Sequence, residues 1–78
     1  MTKEDLYTAI ESENERSLSI ANELKELEQQ LADGSITQQV FEMSVIEIRD
    51  IRTLQILIGE DLTIANVINL CNILLGNS

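Results

Sequence analysis

The chain has 78 residues, with 14 acidic and 5 basic side chains, no histidine, no proline, one cysteine and a formal net charge of −9. Those counts exclude an internal disulfide framework and the His and Cys ligand sets that zinc and most transition metals prefer. They also leave too few cations to displace counterions from a phosphate backbone, so direct nucleic-acid binding is not expected.

Hydrophobic residues make up 44 % of the chain, enough to fold, but aromatics only 3 %, so the core must come from Leu, Ile and Val. Residues 1–78 read as one small helical domain. A core this small is marginal by itself. With no disulfide or metal to reinforce it, association into a homo-oligomer, a dimer, is the expected remedy. The N-terminal stretch MTKEDLYTAIESENER is charged where a secretory signal needs an apolar run. The longest uncharged run, Leu62 to Ser78, is interrupted by Asn66, Asn69 and Asn72. Its apolar part falls short of the roughly 20 residues that span a bilayer. A cytoplasmic protein without membrane contact is expected, and the free thiol of Cys71 suits a reducing compartment.

Gly34, Gly59 and Gly76 each follow a run with helical periodicity, where a helix C-terminus favours a residue free to adopt positive φ. Three helices follow. The first is expected over about 3–32, with Thr2 as N-cap and a seam of Leu6, Ile10, Ile20, Leu24, Leu27 and Leu31 spaced by threes and fours. Two seam positions, Glu13 and Ser17, are polar. The stretch Glu11 to Arg16 therefore reads as a solvated face of a continuous helix, the alternative being a break with Ser12 and Glu15 as a capping box.

The corner that follows contains DGSIT, the middle of an EF-hand calcium loop in appearance. With Gly34 at the sixth place, Asp33, Ser35 and Thr37 fall on ligand places. However, Gln29, Leu31 and Val40 fall where the first, third and bidentate ligands belong. Calcium binding is not expected, and no other metal or cofactor is. Gly34 as the residue past the first helix and Thr37 as N-cap of the second, with Ile36 before it, make a helical corner instead. The window Leu24 to Glu42 carries Leu24, Leu27, Leu31, Gly34, Ile36, Thr37 and Phe41 in the order seen in the short helical hairpin of the SHOCT domain, which it resembles over about a quarter of the chain. Gln38, Gln39 and Val40 depart from that family, which is usually acidic there. The resemblance implies association and no reaction.

The second helix is expected over about 38–58. Val40, Phe41, Met43, Ile48, Ile51, Leu54 and Ile58 fall on one broad face, and Val45, Ile46, Ile56 and Leu57 extend it. An apolar surface this wide marks a central helix packed by more than one neighbour. The third helix is expected over about 64–75 with Thr63 as N-cap. Ile64, Val67, Ile68, Cys71, Leu74 and Leu75 share a face opposite Asn66, Asn69 and Asn72. It either covers the Leu6 and Ile10 end of the first helix or reaches to a second subunit. The expected fold is all-α: a helical hairpin plus a short third helix, in a dimeric helical bundle. Val67, Leu70, Cys71 and Leu74 are the expected oligomer interface.

Catalytic chemistry is not legible. The carboxylates scatter along helix faces with no cleft implied, Cys71 has no histidine to activate it, and the three glycines are isolated. No catalytic residue is assigned. The expected function is a non-enzymatic protein-interaction module that self-associates and binds a protein partner, as a regulator, inhibitor or assembly factor. Glu23, Glu26 and Glu28 are its expected partner-binding residues. The alternative is an acidic nucleic-acid mimic that blocks a DNA- or RNA-binding protein with those same carboxylates. Small acidic helical proteins are frequent in bacteriophage and other mobile elements, so such a source is expected by analogy alone.

Overall fold

Three helix starts, at Thr2, Asn14 and Thr37, lie where a side chain accepts one of the backbone N–H groups that a helix end leaves free. In a computed structural model that describes residues 1–76, the helices are α1 (Lys3–Glu11), α2 (Glu15–Ala32), α3 (Gln38–Glu47), α4 (Thr53–Ile56) and α5 (Asp61–Leu74), and a π-helical turn, Ile48–Arg52, joins α3 to α4. No strand occurs among the described residues, so the all-α class holds.

Thr2 caps α1 as expected. Its hydroxyl accepts the Asp5 N–H at 3.1 Å, and the Asp5 carboxylate accepts the Thr2 N–H at 3.3 Å, a reciprocal capping box. The expected continuous helix over 3–32 does not form. The chain breaks at residues 12–14, and Asn14 starts α2: its side chain accepts the Ser17 N–H at 2.9 Å while the Ser17 hydroxyl accepts the Asn14 N–H at 3.1 Å. The box thus sits two residues beyond the Ser12–Glu15 alternative, and Ser12 instead donates its hydroxyl to the Ala9 carbonyl. The polar seam positions Glu13 and Ser17 are the physical reason. A continuous helix would have no apolar side chain to bury there, whereas the break lets α1 fold against both α2 and α5.

The corner after α2 behaves as the sequence implies. Gly34 takes φ +82°, the Ser35 N–H donates to the Gln30 carbonyl at 2.8 Å and the Gly34 N–H to the Leu31 carbonyl at 3.3 Å, the paired bonds of a Schellman motif. Thr37 then caps α3 by accepting the Val40 N–H at 3.2 Å.

Helix α3, the π-helical turn and α4 form one rod, helical over residues 38–56 and ended by Leu57 as its C-cap, so the helix stops two residues short of the expected end at 58. The start of α5 differs from expectation too. It begins at Asp61, with Glu60 in the N-cap position and Thr63 buried rather than capping. The carboxylate of Glu60 reaches across to the start of α2 instead, accepting from the Asn14 amide and pairing with Arg16 at 3.1 Å. It clamps the break after α1 to the first turn of α5.

The core is one cluster: Leu6, Tyr7 and Ile10 from α1, Ile20, Ala21 and Leu24 from α2, Phe41, Val45, Ile48 and Leu57 from the rod, and Val67, Leu70 and Cys71 from α5. Of the two placements open to the third helix, α5 covers α1 of its own chain. The described residues span 34 × 23 × 23 Å.

Candidate functional site

The rod over residues 38–56 sets the surface of interest, because its π-helical turn decides which apolar residues face in. Phe41, Val45, Ile48, Thr53 and Leu57 are buried. From Ile48 to Thr53 the step is five residues, which a plain α-helix at 3.6 residues per turn would rotate well off the stripe. The wider π turn absorbs it: both the N–H and the hydroxyl of Thr53 donate to the Ile48 carbonyl, the hydroxyl at 2.6 Å. Two arginines of this turn fasten it sideways. Arg49 donates to the Asn72 side chain on α5 at 2.9 Å, and Arg52 pairs with Glu23 on α2.

This corrects the face assigned to the second helix. Of the expected stripe, only Phe41 and Ile48 point inward, while Val40, Met43, Ile51, Leu54 and Ile58 are exposed. Ile46, on the expected extension, is exposed as well. Met43 is 63 % exposed and Leu54 51 %, while Ile58 at the following bend and Leu62 in the first turn of α5 each reach 79 %. Seven of the nine exposed large apolar residues thus lie between positions 40 and 62. The signal available in the sequence was the surplus itself, since one helix cannot bury apolar residues on every side.

Beside this row, α2 and α3 border a groove of about 260 Å³ lined by Glu23, Glu26, Leu27, Gln30, Ser44, Glu47, Ile48 and Arg52. Leu27 and Ile48 are its apolar lining; Glu26 and Glu47 are carboxylates with no cationic partner. The three expected partner-binding residues are therefore divided. Glu23 and Glu26 meet at the groove, with Glu23 already held by Arg52. Glu28 points away, to α1, where it pairs with Lys3 at 2.9 Å and accepts the Tyr7 hydroxyl at 2.7 Å. It fastens α1 to α2. Burial, and then that bond to Glu28, push the Tyr7 hydroxyl well above the usual phenol range, while the hydrogen bond and charge of Glu28 raise Lys3. Lys25 completes this side, pairing with Glu11 and lying 5.4 Å from the Tyr7 ring centroid.

All five cationic side chains of the protein are occupied in this way: Lys3 with Glu28, Arg16 with Glu60, Lys25 with Glu11, Arg49 with Asp50, and Arg52 with Glu23. Five of the 14 acidic side chains have a cationic partner, and nine have none.

The residues expected at an oligomer interface lie elsewhere than expected. Val67, Leu70 and Cys71 are fully buried inside the single chain and offer nothing to a second one; only Leu74 is part-exposed. The reason is that α5 packs against α1 of its own chain, the other placement open to the third helix, and buries these side chains there. Burial pushes the Cys71 thiol up to about 12, the nearby Arg49 charge offsetting little of it.

In the corner, Asp33 accepts both the N–H and the hydroxyl of Ser35, at 2.9 and 2.5 Å, and the hydroxyl bond first, then the N–H, hold its carboxyl below the usual range. That carboxylate is committed to its own turn. Among the described residues, no group of three or more His, Cys, Asp or Glu side chains is placed to hold a metal ion, and no helix is long and apolar enough to cross a membrane. No protein-family model, no curated protein and no solved structure matches the chain. The likeness of Leu24–Glu42 to the SHOCT hairpin therefore rests on its own residues, and what it contributes is the corner.

Proposed function

We propose that this protein is a non-enzymatic interaction module that binds a protein partner through the outward side of the α3–π–α4 rod, acting as a small regulator, inhibitor or assembly factor in the cytosol. One observation carries the reading: Val40, Met43, Ile46, Ile51 and Leu54 stand exposed on a rod whose opposite side already fills the core. An apolar row left outside a completed core costs solvation, and such rows mark association surfaces. Self-association through the row is the competing form of the same reading, and the molar mass measured in the test separates it from partner binding.

The mimicry alternative draws less support. A mimic needs a line of free carboxylates, and of the three proposed for it Glu28 is bound to Lys3 and Tyr7 and Glu23 to Arg52.

The test replaces Met43, Ile46 and Leu54 together by Ser. All three are exposed, so circular dichroism and the unfolding midpoint should stay close to the parent. Light scattering then gives the molar mass of both forms, and stoichiometric partner capture from the source cell compares them. A multimer or a partner that the variant loses supports the reading. A parent that is monomeric and captures nothing, or a variant that associates as the parent does, refutes it.

A further inference from the structure

The cation inventory says what kind of partner this surface takes. Resting on the interaction-module reading, we infer that the acidic groove between α2 and α3 and the apolar row beside it form one docking site for a basic amphipathic segment of another protein. The two features are contiguous: Ser44 and Glu47 line the groove and also border the depression formed by Val40 and Met43. A ligand in the groove would meet Glu26 and Leu27 on α2 and Glu47 on α3, with Met43 one turn along α3 from Glu47. That arrangement suits a segment with Lys or Arg on one edge and apolar anchors on the next, the pattern of a helix laid in a groove.

Charge complementarity selects this occupant over a second copy. Glu26 and Glu47 have no cation in their own chain, and every cationic side chain of a second copy is already paired. Two copies meeting here would therefore bring carboxylate against carboxylate, which opposes association. An anionic lipid surface meets the same objection. A basic segment supplies the missing cations, and the long stems of Lys or Arg can lie on Leu27 while their heads reach the carboxylates.

The test is selection of a displayed library of random 16-residue peptides against the folded protein, with two double variants as controls. Glu26→Lys with Glu47→Lys reverses the groove. Glu4→Lys with Glu13→Lys makes the same change of net charge on exposed residues outside its lining. Enriched peptides should carry net positive charge with apolar residues three and four apart. They should lose about tenfold in affinity on the groove reversal, about the sum of two rim charge interactions each turned from attraction to repulsion, and little on the control. The Glu26→Gln with Glu47→Gln pair, which keeps size and shape, should give an intermediate loss if the lysine variant unfolds. Equal losses for groove and control variants would show bulk attraction to an acidic protein and overturn the inference. Enrichment of neutral or acidic peptides that bind the Met43 row would also overturn it, while leaving the interaction-module reading in place. No enrichment, self-association through the row, or flotation with phosphatidylserine vesicles would each overturn it as well. No enrichment, together with a Met43, Ile46 and Leu54 variant that associates as the parent does, would take the broader reading down too.

Discussion

Deleting Ile51 should leave the fold almost as stable as the parent, whereas deleting Gln55, four residues later, should unfold it. The buried positions of the rod, 41, 45, 48, 53 and 57, are separated by steps of 4, 3, 5 and 4. Only the step of 5 needs the π turn. Removing Ile51 from within that turn converts it to 4, so a plain α-helix carries the same five side chains on one stripe. Ile51 is 51 % exposed, so the burial lost with it is on the order of 1 kcal/mol. Removing Gln55 instead shortens the step from Thr53 to Leu57 and turns Leu57 by about 100°. Leu57 is 0 % exposed, and losing a fully buried Leu side chain costs about 2–5 kcal/mol. A core of this size supplies roughly 3–5 kcal/mol in total, so that loss is most of it. Urea titration followed by far-ultraviolet circular dichroism measures both, the midpoint reporting stability and the slope the surface exposed. A Gln55 deletion as stable as the parent, or an Ile51 deletion as damaging as that of Gln55, would refute the view that the π turn keeps the rod in register.

Three further outcomes follow from the site and its surroundings. Gly34→Ala should lower stability by about 1 kcal/mol, or roughly 4–8 °C in thermal midpoint, because φ is +82° there and no neighbouring atom lies within 4 Å to add a steric cost. Stability should fall as pH rises above the ordinary phenol range, because Tyr7 keeps its proton in the folded state while the unfolded chain releases it. Lys3, held charged by Glu28, and the buried Cys71 thiol push in the same direction, since each folded group titrates above its unfolded value. Thermal melts from neutral to alkaline pH should therefore show a decline that Tyr7→Phe makes shallower, at a cost of about 1–2 kcal/mol at neutral pH from the lost bond to Glu28. A decline of unchanged steepness in Tyr7→Phe would count against it. Finally, Cys71 should react with an aromatic disulfide reagent only as fast as the chain opens, since the thiol is 0 % exposed. Fast labelling of the native protein would contradict its place in the core.

Much of the fold was legible because it is written in local chemistry. Thr2, Thr37 and Gly34 each act through backbone groups two to four residues away, so the start of α1 and the whole α2–α3 corner follow from the sequence. What the sequence hid depends on distant partners. Glu60 has no capping bond in its own helix, and its role appears only when Asn14 and Arg16 arrive from the start of α2. The break at residues 12–14 was visible as two polar seam positions, but a continuous helix explains them equally well until α5 is seen lying on α1. Of the proposed carboxylates, Glu23 and Glu26 do share the groove, while the turn of the helix carries Glu28 to the opposite side.

The most instructive difference concerns which apolar stripe of the rod is the core. Positions 40, 43, 51, 54 and 58 keep the regular spacing of an uninterrupted helix, so the sequence favours them as a seam. The true seam contains a polar residue, Thr53, and an irregular step of five. Thr53 is tolerated at 0 % exposure because its hydroxyl donates to the Ile48 carbonyl across the π turn. The same turn thus buries the irregular stripe and leaves the regular one outside. The exposed apolar surface thus lies on the rod, while α5, where a subunit contact was expected, is taken up in covering α1. The proposed association surface is in this sense a product of the core: once Val67, Leu70 and Cys71 are inside, the row from Val40 to Leu54 is the apolar surface left exposed, and under the proposed docking Glu26 and Glu47 would set the charge of its occupant.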